Sequence, residues 1–160
     1  MKNFFIYEFH PAVSLFVAEE SGKLTDVLFK TPSSFNPAEL SVSKTPLLRE
    51  AKEELIEYFA GKRRVFDLPI SLSGTDFELS CWEALRAIPY AKTQSYADIA
   101  RAIGRPRAFR AVGGANHRNP IAIIVPCHRV VGSDGSLVGF GGGLDVKKFL
   151  LDLERSNASS

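Results

Sequence analysis

Apolar and polar positions alternate through the first third of the chain. "FFIYEF" (4–9), "SLFVAEE" (14–20) and "LTDVLF" (24–29) are short β-prone runs separated by turn formers such as Pro11 and Gly22. This pattern predicts a small sheet. "TPSSFNPAELSVSKTP" (31–46) is polar and proline-bearing and reads as a loop. The period then lengthens. In "LLREAKEELIEYFAGK" (47–62), Leu47, Leu48, Ala51, Leu55, Ile56, Tyr58 and Phe59 form most of a helical apolar stripe, and Gly61 suits its end. "VFDLPISL" (65–72) could return as a strand, at the edge of the sheet because Pro69 lacks a donor.

Beyond residue 75 the pattern is helical. Thr75 with Glu78, and Ser95 with Asp98, have capping-box spacing and predict helix starts before "ELSCWEALRAIP" and "SYADIARAIG". In the first of these helices Phe77, Cys81, Trp82 and Leu85 share a face, so Cys81 reads as a small buried hydrophobe. "RPRAFRAVGGANH" (105–117) places Pro106 where a helix would begin, after a short turn carrying Gly104. Helix, glycine turn, helix is the helix-turn-helix pattern. The apolar run "IAIIV" (121–125) reads as a strand that ends at Pro126, and "GFGGGLDVKKFLLDLE" (139–154) as a Gly-rich loop and a last amphipathic helix. Two domains are expected, an α/β unit over 1–75 and a mostly α-helical unit over 76–160.

Composition adds limits. The chain has 160 residues, 45% hydrophobic and 24% charged, as a globular protein has. No apolar run approaches the roughly 20 residues that span a bilayer, and the N-terminus shows no signal-peptide pattern, so a cytoplasmic, membrane-free protein is expected. Two cysteines make no disulfide framework, and residues 1–80 hold no Cys and only His10, so no metal is expected.

Charge changes the picture more. The net charge is only +2, yet no acidic residue lies between Asp98 and Asp134, an interval holding Arg101, Arg105, Arg107, Arg110, Arg118 and Arg129. An acid-free, Arg-rich stretch points to a polyanionic partner, nucleic acid first. Arg105, Arg107 and Arg110 fall at the start of the second helix of the pair, where DNA contact is expected. That helix is rich in small residues, which favours backbone and shape contacts over base reading.

The same stretch holds "IVPCHRVVGSDG" (123–134), where Cys127 sits between Pro126 and His128. A thiol reacts as thiolate, and neighbouring His and basic groups favour that form. Adjacent side chains in a strand point apart, so His128 can serve Cys127 only if the chain turns there or through a bridging water. A His base commonly needs a third group to orient it. On the residues alone Glu154, Asp152, Asp145 and Asp134 all qualify. A DNA-binding module without transfer and a Cys-His hydrolase are the competing readings.

"RAVGGANHRNP" (110–120), "NPIAIIVPCHRVV" (119–131) and "GSDGSLVGFGGGL" (132–144) together closely resemble the O6-alkylguanine-DNA alkyltransferases, with the match running over residues 75–154. The resemblance implies an RNase H-like small sheet domain followed by a winged-helix/HTH domain. It implies irreversible, single-turnover transfer of the alkyl group from O6-alkylguanine, and from O4-alkylthymine, in double-stranded DNA to Cys127, by a monomer needing no cofactor. His128 then resembles the base, acting through a water, and Glu154 the carboxylate that orients it. Asn119 resembles the hinge Asn, and Tyr96 the tyrosine that protonates the leaving guanine and presses on its phosphate. Arg110 resembles the finger that replaces the flipped base. Arg107, Ala111, Gly114 and Ala115 fall on the DNA-contacting face, and Val125, Pro126, Val130, Phe140 and Gly141 around the alkyl pocket. Phe140 stands where many relatives have Tyr, so the expected pocket wall lacks a hydroxyl.

Overall fold

A computed structural model describes residues 2–33, 41–42 and 45–158. The chain divides into two compact units, Met1–Leu72 and Ser73–Ser160.

In the first unit, β1 (Asn3–His10), β2 (Val13–Glu20) and β3 (Lys23–Leu28) form an antiparallel meander, and β4 (Ser41–Val42) pairs parallel to the outer side of β1, giving the order β3-β2-β1-β4. The tight β2–β3 turn uses Ser21 and Gly22, both at positive φ. Most of the expected 31–46 loop lies outside the described residues. Its described part departs from expectation at Ser41–Val42, which extend the sheet, and at Pro46, which already opens a helix. Central β2 is covered on both faces, with Leu15, Phe16, Val17 and Ala18 all buried. On one face Phe4 stacks on Phe16, ring centroids 5.4 Å apart, in a cluster with Ala18 and Leu28. The face of Tyr7 and Phe9 meets α1 (Pro46–Phe59) through a Phe9–Phe59 ring contact at 5.4 Å. Thr45 caps α1 by accepting from Leu48 N at 3.2 Å, and Pro46 occupies the first turn, where its missing N–H costs nothing. Its stripe of Leu48, Ala51, Leu55 and Tyr58 is buried. The 65–72 segment makes one parallel bridge, Leu24 to Ile70, flanked by hydrogen bonds from Leu24 N to Pro69 O and from Ser71 N to Leu24 O. Pro69 limits it to that contact.

The second unit packs α2 (Asp76–Arg86), α3 (Tyr96–Ala102) and α4 (Phe109–His117) against one another. β5 (Gln94–Ser95) pairs parallel with β6 (Val130–Val131), and α5 (Leu144–Asn157) closes the unit. Both capping boxes form: Thr75 with Glu78 at the start of α2, and Ser95 with Asp98 at the start of α3. Pro106 does not begin α4 as expected. Ala108 N donates to Arg105 O at 2.9 Å, which closes a turn with Pro106 at its second position, where a fixed φ is equally at home. Trp82 and Cys81 are buried, and the Trp82 indole donates to Ala115 O at 2.9 Å, tying α2 to α4.

Candidate active site

The apolar run before Cys127 is not the expected strand. Residues 121–125 form a buried tight turn in which Val125 N donates to Ile121 O at 3.0 Å and Ile124 N to Ala122 O at 2.8 Å. Ile123 takes φ 71°, a left-handed conformation that is costly for a β-branched residue. Burial of Ile121, Ile123 and Val125 offsets that strain. Asn119 holds the turn from inside: its Nδ2 donates to Val125 O at 2.8 Å, and its Oδ1 accepts from Ile121 N at 3.0 Å. Pro126 (φ −81°, ψ 66°) then makes an inverse γ-turn closed by Cys127 N donating to Val125 O at 2.8 Å. Cys127–Arg129 follow as one 3₁₀ turn. Three successive side chains of such a turn leave it roughly 120° apart, so Cys127, His128 and Arg129 take three different directions.

All three are buried, and two converge on α5. His128 Nε2 lies 2.6 Å from Glu154 Oε2. Arg129 grips the same carboxylate with two nitrogens, Nε at 2.8 Å from Oε1 and Nη2 at 3.1 Å from Oε2, while its Nη1 donates to Ile88 O at 2.8 Å. Ala91 N supplies a further donor to Glu154 at 3.0 Å. Burial opposes the charge on Glu154, yet the hydrogen bond from His128 and the hydrogen bonds and charge of Arg129 hold its carboxyl well below the usual carboxylate range. Burial pushes the His128 imidazole below its ordinary value, and its bond to Glu154 does not reverse this. The ring is therefore neutral at pH 7. With an ionised acceptor at Nε2, the network assigns the proton to Nε2 and the lone pair to Nδ1. Nδ1 is buried and makes no hydrogen bond among the described residues. Asp134, Asp152 and Asp145, the other candidate carboxylates, are exposed; Asp134 accepts from Ser136 N and Asp152 pairs with Lys148.

Cys127 is 5% exposed, and burial raises its thiol pKa; a hydrogen bond from Asn119 and the charge of Lys147 act in the opposite sense. The resting sulfur is thus a thiol that needs a base. Lys147, Asn116 and the buried role of Arg129 were not expected from the sequence. Lys147 is fully buried, its Nζ donates to Val138 O at 3.0 Å, and it lies 5.9 Å from the Tyr96 ring centroid and 5.8 Å from that of Phe140. A signal for it existed: 147, 150, 151 and 154 follow helical spacing, so both Lys147 and Glu154 fall on the stripe that buries Leu150 and Leu151. Asn116 is buried, and its Nδ2 donates to Cys127 O at 3.3 Å. Arg129 belongs to the carboxylate network and not to the DNA-facing arginines with which its charge had grouped it.

Val125, Pro126 and Val130 flank the Cys127 turn and are buried. Tyr96 is half-buried, its hydroxyl donates to Val138 O at 3.2 Å, and burial raises its phenol. Phe140 is half-buried, whereas Gly141 is exposed with open space where a Cβ would lie. On the helix-turn-helix, Arg107 and Arg105 sit in the turn and Arg110 in the first turn of α4, all exposed and without an ion pair among the described residues, whereas Arg101 pairs with Asp98 and Arg118 with Glu78. Ala111 is exposed and Gly114 partly so. Ala115 departs from expectation: it is fully buried, on the side of α4 that meets Trp82, and its side chain belongs to the core. An open groove of about 390 Å³ runs between α4, Tyr96 and Val138. Among the described residues no three His, Cys, Asp or Glu side chains gather as a metal site requires, and no helix is long and apolar enough to cross a membrane.

Residues 76–156 match the family model of the 6-O-methylguanine DNA methyltransferase DNA-binding domain, and residues 14–72 that of the same proteins' ribonuclease-like domain. A methylated-DNA–protein-cysteine methyltransferase of Methanosarcina barkeri is 56% identical over 116 residues, 72% of this chain and 73% of its own length. The constitutive enzyme of that name from Bacillus subtilis is 45% identical over 150 residues, 91% of each chain. The crystal structure of the O6-methylguanine methyltransferase of Mycobacterium tuberculosis superposes with a TM-score of 0.87 at 41% identity, covering 98% of this chain and 94% of that one. The Mycobacterium tuberculosis protein has also been solved in complex with DNA, and that structure superposes with a TM-score of 0.83 at 41% identity, covering 98% and 93%.

Proposed function

The chain belongs to the 6-O-methylguanine DNA methyltransferase family and serves DNA repair by alkyl transfer, and from that premise we propose that Cys127 is the acceptor of the alkyl group. The observation that carries the assignment is the pair next to the thiol in the chain: a neutral His128 whose Nε2 is held 2.6 Å from an ionised, buried Glu154.

The substrate in this reading is duplex DNA carrying O6-alkylguanine, with O4-alkylthymine also accepted. The alkyl carbon is out of reach inside the base stack, so the nucleotide must be flipped out. Arg110 fills the gap it leaves, while Arg107, Ala111 and Gly114 lie along the backbone. The thiol proton passes through one bridging water to His128 Nδ1. Cys127 Sγ then attacks the alkyl carbon, a C–S bond forms and the C–O6 bond breaks. The electron pair goes to guanine, and Tyr96, whose raised phenol is protonated at neutral pH, supplies the proton that guanine takes up. His128 returns its proton to the tyrosine, so the thiol proton ends on guanine. Glu154 stabilises the transient imidazolium, and Asn119 keeps the Cys127 turn in register. Val125, Pro126, Val130 and Phe140 make the apolar surroundings, with Gly141 leaving the entrance open. The thioether has no route back, so each molecule acts once, as a monomer in the cytoplasm, with no cofactor.

Intact mass after incubation with a duplex holding one O6-methylguanine tests this. The expected gain is one methyl per chain, mapped to the Cys127 peptide and absent in Cys127→Ala. Tight binding without mass gain would instead mean a recognition module. Demethylation continuing beyond one equivalent would mean a hydrolase.

A further inference from the structure

Phe109 is the first residue of α4 and is 47% exposed. Exposed single hydrophobics are ordinary, so its surroundings decide what it does. It forms one wall of the groove whose other sides are Tyr96, Arg110, Gly113, His117 and Val138. Val138 is also 47% exposed, so two apolar side chains line this groove in solvent. One edge is cationic: Arg110 lines the groove, and Arg107 is exposed in the turn two residues before Phe109, neither in an ion pair among the described residues. Gly113 lies one helical turn beyond Phe109. A Cβ there would meet the Tyr96 ring at an ordinary 3.9 Å, so internal packing does not demand glycine; its effect is to keep the groove open. An occupant must therefore present flat apolar surface framed by negative charge, which is the description of stacked bases between phosphates.

We propose that Phe109 is a second, apolar wedge, which stacks on the base pair beside the gap filled by Arg110; the proposal rests on the DNA-repair reading above. Successive helix residues project about 100° apart, so Phe109 and Arg110 enter neighbouring positions and do not compete for one. A polar wedge satisfies the orphaned base, while an apolar wedge covers the exposed face of its neighbour. Insertion of apolar side chains between base steps is an established means of deforming the minor groove.

The test compares single-turnover methyl transfer from a lesion duplex with transfer from free O6-methylguanine base. For Phe109→Ala the ratio of duplex rate to free-base rate is expected to fall about tenfold, the loss of one base–aromatic stack. Phe109→Leu is expected to lie between wild type and Phe109→Ala. The slope of log affinity against log salt is expected to be unchanged in Phe109→Ala, because no phosphate contact is lost, whereas Arg107→Ala lowers it by about 1. Gly113→Ala is expected to melt no lower than wild type and yet to bind the duplex more weakly. An unchanged ratio in Phe109→Ala overturns the proposal, whether both rates hold or both fall together, the latter marking a packing residue. Unaltered DNA affinity with a changed oligomeric state overturns it in favour of a contact between copies. If wild type takes up no methyl while Phe109→Ala still weakens duplex binding, the assignment of Cys127 fails and that of Phe109 stands.

Discussion

In the first unit the buried Glu54 accepts from Asp67 N at 2.9 Å and lies 3.4 Å from Arg63, and the buried Glu19 joins Asn3 at 2.7 Å and Gly22 N at 3.2 Å. In the second unit the buried Glu154 takes two nitrogens of Arg129, one of His128 and one backbone N–H. The first two carboxylates fasten local chain: a loop start and a strand turn. The third joins α5 to the turn that carries Cys127. Buried charge is expensive unless paired, and both units pair it. What separates them is where the pairing leads. Around Glu19 and Glu54 it ends on backbone and partner side chains. Around Glu154 it continues to a titratable ring, His128, next in sequence to the proposed acceptor Cys127.

Glu154→Gln breaks this contrast most severely. It removes the charge that balances Arg129 and orients His128. Transfer to Cys127 is expected to slow roughly 100- to 10,000-fold, the usual worth of an oriented base. Stability is expected to drop by about 3–5 kcal/mol because Arg129 is left buried without its counter-charge. Rapid-quench assays on the folded protein and urea titrations read the two effects. Acid sharpens the same point. The His128 ring is held below its ordinary pKa, so an unfolded chain binds a proton that the folded one refuses, and stability falls as pH drops below about 6.5. Glu154, also held down, adds a second loss below about pH 4.3. A stability profile flat from pH 7 to 5 would contradict a neutral buried imidazole.

Alkylation tests the packing around the proposed acceptor, Cys127. Cys127 sits in a turn with Val125, Pro126 and Val130 buried on either side, so an added methyl overpacks it. The methylated protein is expected to melt about 3–10 °C lower than the free thiol form by calorimetry. The smallest effect belongs to the first unit. Glu54→Gln keeps an acceptor for Asp67 N and loses only the charge facing Arg63. A cost of about 1 kcal/mol is expected in urea unfolding, with the rate of methyl transfer unchanged. A slowed transfer would mean that the first unit's buried charge is not confined to scaffolding.

Much of this was legible from local pattern. The three long strands, α1 and both capping boxes follow from rules that act over two to four residues, and those interactions form wherever the chain folds. Cys127 was conspicuous because Pro126, His128 and Arg129 surround it in sequence, and the family's motifs named its partners. Other features required the folded chain. Whether Arg129 faced DNA or Glu154, whether Ala115 lay on the outer or inner side of α4, and whether Lys147 was solvated depended on which surfaces meet, and no local rule carries that information. The 121–125 turn is the clearest case. Its residues favour a strand, yet Asn119 and burial impose a left-handed Ile123, because the apolar contact and the two side-chain hydrogen bonds outweigh local preference. The sequence by itself determined the three long strands, the helix starts set by the capping boxes, and Cys127 as the candidate thiol. Tertiary packing alone brought His128 and Glu154, 26 residues apart, to 2.6 Å and removed them from water, where hydrogen bonding holds the charge of Glu154 against burial and burial holds His128 neutral against its bond to Glu154.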